Sequence, residues 1–139
     1  MEYKRFNSVI ALRLDKGDDI AASVYKVAEK EKVKAATVSG IGATDNFTVG
    51  VFDIGKKEYE KFNFFTNHEI NSLTGNITEK DGKPYIHLHI TATGSSGKVV
   101  GGHLIKGVIS LTGEIIITVF DGEITREFDG TLGINRWKF

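Results

Sequence analysis

The sequence predicts an α+β fold with one main helix. Two observations carry this expectation: one segment has helical periodicity, and most other segments alternate apolar and polar residues between glycine-containing turns. The chain has 139 residues, which suits one domain over residues 1–139. An apolar fraction of 40% is enough to form a hydrophobic core, and this disfavours a disordered chain.

The composition removes several classes of function. The chain has no Cys, so it forms no disulfide, thiolate metal site or cysteine nucleophile. Its 18 Lys+Arg balance 18 Asp+Glu, so there is no overall basic field to hold nucleic acid, and a charged partner has to meet a local patch. No secretory signal is visible and no apolar run could span a bilayer, so we expect a cytoplasmic protein without a membrane partner.

The helical segment follows Gly17. Asp18 or Asp19 can accept the N-cap hydrogen bond, and apolar residues then recur at spacings of three and four from Ile20 to Ala28. The acidic pair at the start and the lysines near the end complement the helix dipole. We therefore expect an amphipathic helix of about three to four turns.

Strand patterns cover most of the remaining chain. Gly40 and Gly42 indicate a bend or bulge, and the sequence KDGK at 80–83 is a strong turn signal. The segment 94–98 (GSSGK) is expected to be a hairpin loop, although its backbone N–H groups could also bind an anion. The predicted strand segments are 35–41, 46–54, 59–66, 69–78, 85–93, 99–110, 114–120 and 123–128.

Two of the four histidines lie two residues apart on one predicted strand. His87 and His89 alternate with apolar residues, so both imidazoles point to the polar face of the sheet. Their Cβ atoms are then roughly 7 Å apart, from twice the ~3.3 Å rise of a strand. Both rings can therefore lean onto one ion as a two-point chelate.

A third histidine can join this pair. If segment 99–110 pairs back along the His87 strand, His103 approaches the same patch, and Gly101 and Gly102 let the backbones pass closely. Three neutral imidazoles suit Zn or another divalent transition metal, and three protein ligands leave a position open for a small-molecule ligand. The alternative is an ordinary polar sheet face with no metal.

Three other polar residues have a functional and a structural interpretation. Glu69 could be a further metal ligand or a general base, or an exposed carboxylate at a strand end. Arg13 could bind an anion or be a solvated strand residue, and we favour the second. His68 is expected to be a surface histidine.

Several segments, in chain order, resemble the plant-and-prokaryote-conserved domain family (PPC, also written PCC). They are 13–19 (RLDKGDD), 38–43 (VSGIGA), 69–77 (EINSLTGNI), 87–89 (HLH), 94–98 (GSSGK) and 101–104 (GGHL). The resemblance implies a strongly bent, mainly antiparallel sheet assembled as a homotrimer. It also implies that His87, His89 and His103 ligate a metal, usually zinc, and that Glu69 lies close to that site.

The family is commonly called DNA-binding because plant members join this domain to AT-hook tails. This sequence has no such tail and no basic excess. The resemblance therefore predicts a homotrimeric binding module that acts on DNA or on another protein. The fold is also similar to that of acetolactate decarboxylase, a three-histidine zinc protein, so the alternative is a zinc-dependent lyase or hydrolase in which Glu69 moves a proton.

Overall fold

The computed structural model describes residues 1–139 and contains one helix and nine strands. The helix α1 spans Ile20–Lys30. The strands are β1 (Glu2–Phe6), β2 (Val9–Asp15), β3 (Ala36–Asp53), β4 (Glu58–Phe64), β5 (His68–Lys80), β6 (Lys83–Gly94), β7 (Val99–Val119), β8 (Thr125–Asp129) and β9 (Ile134–Lys138). The predicted α+β class with one main helix is confirmed.

All nine strands belong to one sheet. Its main path runs β1-β2-β7-β3-β5-β8-β9, with β4 paired to β3 and with β6 paired to both β5 and β7. Every pairing is antiparallel except a single parallel bridge between Glu79 and Thr125. The mainly antiparallel sheet is therefore also as expected.

Two long strands bend the sheet. β3 and β7 have 18 and 21 residues, and each was predicted as two separate segments. Their mutual pairing shifts register between Gly42 and Thr44, again by Asn46, and between Thr48 and Val49. Such register shifts let a strand bend while it stays hydrogen-bonded to its partner. Each of the two long strands also changes one of its neighbours along its length. β3 passes from β5 to β4, and β7 passes from β6 to β2.

The helix covers the apolar face of this sheet. Asp19 is the N-cap, and its Oδ1 accepts a 2.9 Å hydrogen bond from the backbone N–H of Ala22, whereas Asp18 accepts one from the N–H of Asp15. The helix packs against β6 and β7. Its core-facing residues are Ile20, Val24, Val27 and Ala28. Leu88 and Ile90 of β6 are 2% and 1% exposed, so the inward face of that strand is the apolar one.

The structure adds strands at both ends of the chain. β1, β2 and β9 lie outside the predicted segments. The β8–β9 hairpin has large apolar residues on its surface, such as Trp137 at 44% exposed. In β9 the two apolar residues, Ile134 and Trp137, are three positions apart, so the strand lacks the alternation by which a strand is recognised. The one helix is too short and too polar to cross a membrane.

Candidate metal centre

Antiparallel pairing of β6 with β7 brings the three predicted histidines together. His89 lies directly opposite His103 in the register, and His87 is two residues away on the same face of β6. Each ring offers one nitrogen within 4.8 Å of the other two. The ring centroids are 5.2 Å apart for His87–His89, 5.1 Å for His87–His103 and 5.5 Å for His89–His103. The predicted return of segment 99–110 along the His87 strand is confirmed.

Glycines allow the backbones around the histidines to approach. A Cβ on Gly101 would lie 2.5 Å from the carbonyl oxygen of Ile90, and one on Gly102 would lie 2.8 Å from that of Gly50. A Cβ on Gly75 of β5 would collide with the carbonyl oxygen of His87. Distances this short exclude any side chain without a backbone shift. Gly75 and Gly101 therefore set how closely β5 and β7 flank β6, and Gly102 sets how closely β7 approaches β3.

The environment keeps two of the imidazoles neutral. Burial lowers the pKa of His87 to about 4, with further contributions from His103, His89 and the Arg126 guanidinium. Burial also lowers the pKa of His103, and a charged His89 would lower it further. Since a metal binds the unprotonated nitrogen, low pKa values make these residues available as ligands at neutral pH.

The buried Nδ1 of His103 has no hydrogen-bond partner. Buried polar atoms are almost always paired, so an unpaired one calls for a missing ligand, ion or water. The imidazole of His103 stacks on the ring of Tyr59 from β4 at 4.7 Å and 19°, which fixes its plane. With three imidazole nitrogens and no carboxylate in the group, the donor set fits Zn, Cu, Ni or Fe better than Mg or Ca.

The β8–β9 hairpin supplies an arginine beside the histidines that sequence reasoning missed. Arg126 Nε donates to Thr78 Oγ1 at 2.7 Å, Nη1 donates to the carbonyl oxygen of Asn135 at 2.8 Å, and Nη2 donates to Asn76 Oδ1 at 2.9 Å. Its guanidinium lies 4.4 Å over the ring of Tyr85. No local motif marks Arg126, because only the docking of the hairpin brings it to this face.

Glu69 does not join the histidines within the protomer. It pairs with Thr93, four residues beyond His89 on β6, which corresponds to about 13 Å along the strand. The group of potential metal ligands contains the three histidines and not Glu69. Glu69 instead lines a separate cavity of about 600 Å³, together with His68 and Asn71. Its role as a catalytic base or further ligand stays a prediction.

The expectation of a surface position for His68 is wrong. Its side chain is only 9% exposed and packs edge-on against Phe47 and Phe64. Nδ1 donates a 2.7 Å hydrogen bond to the carbonyl oxygen of Thr66. The polar sequence TNHE at 66–69 predicts an exposed histidine, but the bend of β3 places two aromatic rings against His68.

The structural interpretations of Arg13 and of the glycine-serine loop are confirmed. Arg13 is exposed and forms ion pairs with Glu2 and Asp15, at 3.1 Å each. The 94–98 segment connects β6 to β7, and Gly97 N–H donates to the carbonyl oxygen of Gly94 at 2.9 Å. The loop is therefore an ordinary hairpin connection.

The sequence matches the Plants and Prokaryotes Conserved (PCC) domain over residues 1–121. The chain belongs to the PCC family. Its PCC domain carries the three histidines, and the matched residues end just before the β8–β9 hairpin that contributes Arg126. No functionally curated protein shows significant similarity to the sequence.

Solved structures of PCC-like proteins share the whole fold. A candidate DNA-binding protein from Bacteroides thetaiotaomicron is 27% identical, with a TM-score of 0.96 and coverage of 99% of this chain and 96% of that one. A metal-containing protein from Archaeoglobus fulgidus is 33% identical, with a TM-score of 0.87 and coverage of 99% and 97%. A PPC protein from Pyrococcus horikoshii is 28% identical, with a TM-score of 0.87 and coverage of 99% and 94%.

Proposed function

We propose that this protein is a homotrimeric PCC-domain module in which His87, His89 and His103 bind one divalent transition metal ion. The observation that carries the proposal is the convergence of three imidazole nitrogens, one from each histidine, within 4.8 Å. The buried Nδ1 of His103, which has no hydrogen-bond partner, also supports it. Zinc is the expected ion, because three imidazoles match its preferred nitrogen ligands. The similar Archaeoglobus fulgidus protein is named as metal-containing, which supports the same assignment.

A bound ion would act as a Lewis acid towards a ligand at its open position. The protein's own residues would hold it in place. β6 presents two imidazoles in one row, and the β7 partner strand presents the third opposite them. Stacking on Tyr59 keeps the His103 ring in its plane, so the site is formed before any ion enters.

The test is metal analysis of the purified 139-residue chain after loading with zinc and removal of excess. We expect about one zinc per chain, and loss of most of it in His89→Ala, because two imidazoles bind far more weakly than three. Thr91→Ala is the matched control, since Thr91 is an exposed residue on the same strand two positions away. Equal metal content in wild type and His89→Ala would refute the site.

Assembly is supported by an exposed apolar patch on β3 and β7. Ile41, Leu111 and Ile116 are 57%, 72% and 42% exposed. Ile41 lines one shallow surface cavity with Leu111 and another with Ile116, so the three residues lie on one surface. Exposed apolar side chains grouped on one surface are typical of an interface, and a further copy of the chain would cover them.

DNA binding is the second candidate, because similar proteins from Bacteroides thetaiotaomicron and Ralstonia eutropha are named as candidate DNA-binding proteins. The charges here offer little for it. Lys34 pairs with Glu79 and Glu123, and Arg5 pairs with Glu31, so these basic groups are neutralised locally. The 18 Lys+Arg of the chain are balanced by 18 Asp+Glu. A duplex titration over a salt series tests this candidate, since phosphate contacts are strongest at low salt.

The enzyme alternative cannot use Glu69 of the same chain as its base. Glu69 is outside the histidine group and lines a different cavity. A lyase or hydrolase at the metal would therefore need a proton acceptor other than Glu69 of the same chain. For this reason we favour the binding module.

A further inference from the structure

A positively charged side chain lies beside the histidine centre. Arg126 stands on the same face of the sheet as the three imidazoles. It is hydrogen-bonded to Asn76, which is the cross-strand partner of His87, and it covers the ring of Tyr85, two residues before His87. The guanidinium is close enough to help lower the pKa of His87. The centre thus consists of three imidazoles and one nearby fixed positive charge.

No carboxylate compensates that charge. The other three arginines of the chain, Arg5, Arg13 and Arg136, each form an ion pair with an acidic side chain. Arg126 forms none and is half-buried, and burial lowers its pKa. A half-buried charge without a counter-charge is costly, and a divalent ion at the histidines would add further repulsion.

Arg126 also keeps hydrogen-bonding capacity. A guanidinium has five N–H donors, and three of them are used on Thr78, Asn135 and Asn76. One N–H on each terminal nitrogen is left over, and both can donate to the oxygens of a carboxylate or phosphate. The bonds already made hold the guanidinium in a fixed orientation, so little conformational entropy would be lost on binding an anion.

We propose that the ligand which completes the histidine centre is a small oxyanion, held between the metal and Arg126. This inference rests on the proposed metal site and adds the chemical class of the ligand. One oxygen would occupy the open metal position, and Arg126 would neutralise the remaining charge. The β8–β9 hairpin is then the element that selects for negative charge, through a residue outside the matched PCC segment.

The test uses the 139-residue chain loaded with Co²⁺, because the visible spectrum of this ion reports a change of ligand. Acetate and inorganic phosphate are titrated separately, so that the carboxylate and phosphate versions of the ligand are distinguished. We expect Arg126→Gln to weaken binding of the preferred anion by about tenfold or more. Arg126→Lys keeps the charge without the fork and should lose less. Arg136→Gln is the matched control, because Arg136 lies in the same hairpin but pairs with Glu127 and Asp129.

The outcomes separate this inference from the metal proposal. Full cobalt loading with equal anion affinity in wild type and Arg126→Gln overturns the inference and leaves the metal site standing. Full loading with no spectral response to either anion does the same. Failure of wild type to load metal overturns both. Unchanged thermal midpoints in Arg126→Lys and Arg136→Gln show that the hairpin remains folded in the variants used for comparison.

Discussion

The three histidines lie close together for two different structural reasons. His87 and His89 share a face because a strand alternates its side chains, so their sequence spacing is enough to pair them. His103 joins them because β7 returns antiparallel to β6 in the register that sets it opposite His89. A shift of one residue in that register would turn the His103 ring to the opposite face of the sheet. The site therefore depends on a single strand pairing.

The depressed pKa of His87 makes a prediction about acid stability of the metal-free protein. The folded pKa is about 4, compared with an ordinary value of 6.5. Between these pH values the unfolded chain binds more protons than the folded one, so stability is present above pH 6.5 and is lost as the pH falls towards 4. We expect the urea midpoint in EDTA to decrease across this window.

His87→Gln is the variant that isolates this effect, because it removes the titrating group and keeps a polar side chain. Its urea midpoint should depend less steeply on pH than that of wild type between pH 6.5 and 5. Below that range carboxylates such as Asp18 and Glu31, whose pKa values are lowered by their hydrogen bonds, begin to contribute in both proteins. Identical pH profiles would show that burial of His87 does not shift its protonation.

At the scale of the element, β6 is the strand that contributes both to the hydrophobic core and to the histidine centre. Its inner face packs under α1 in the core, and its outer face carries two of the three proposed metal ligands, His87 and His89. It is flanked by β5 on one side and β7 on the other, so a shift of either neighbour disturbs the histidine geometry. The contact between Gly75 and the His87 backbone is the closest of these approaches.

Gly75→Ala is expected to displace β5 from β6, because the new methyl group would collide with the His87 carbonyl oxygen. We predict a loss of about 1–3 kcal/mol in the free energy of unfolding, as for other overpacked sites, together with reduced zinc loading. Urea unfolding and metal analysis measure the two effects.

Gly130→Ala serves as the control for this variant. A Cβ at Gly130 would meet only the ring of Phe128 at 3.8 Å, an ordinary van der Waals distance. Both its stability and its metal content should match wild type. A Gly75→Ala protein as stable as the Gly130→Ala protein would contradict the role given to Gly75.

At the scale of the whole molecule, assembly is the property most open to a direct test. We expect wild type to behave as a homotrimer in light scattering coupled to size exclusion. Leu111→Asp should dissociate it, since a carboxylate would have to be buried in the apolar interface. Ile54→Asp is the matched control, because Ile54 is 77% exposed, similar to Leu111 at 72%, and does not line the cavities of the patch.

Two results would count against this assignment of the interface. If wild type is a monomer in light scattering, the proposal of a homotrimer is wrong. A trimer that persists in Leu111→Asp but is lost in Ile54→Asp would move the interface to the β3–β4 turn. In either case the histidine centre would be unaffected, because all three histidines come from one chain.

The sequence by itself determined those features that depend on neighbouring residues. The period of the helix, the choice of an aspartate as its N-cap and the shared face of His87 and His89 all follow from local geometry, and the structure agrees. The motifs also indicated the PCC family before any fold was known, and the family match over 1–121 agrees. The alternation of apolar and polar residues is weaker where a strand bends, so the sequence predicts two separate segments in place of each of β3 and β7.

Only the tertiary structure decided which residues face one another across the sheet. The burial of His68 against two aromatic rings, the separation of Glu69 from the histidines and the placement of Arg126 beside His87 each depend on contacts between distant segments. None of these residues carries a local pattern that reports its partner. The physical reason is that strand register and the docking of a hairpin are set by packing of the whole sheet, whereas periodicity in sequence reports only which face a side chain occupies.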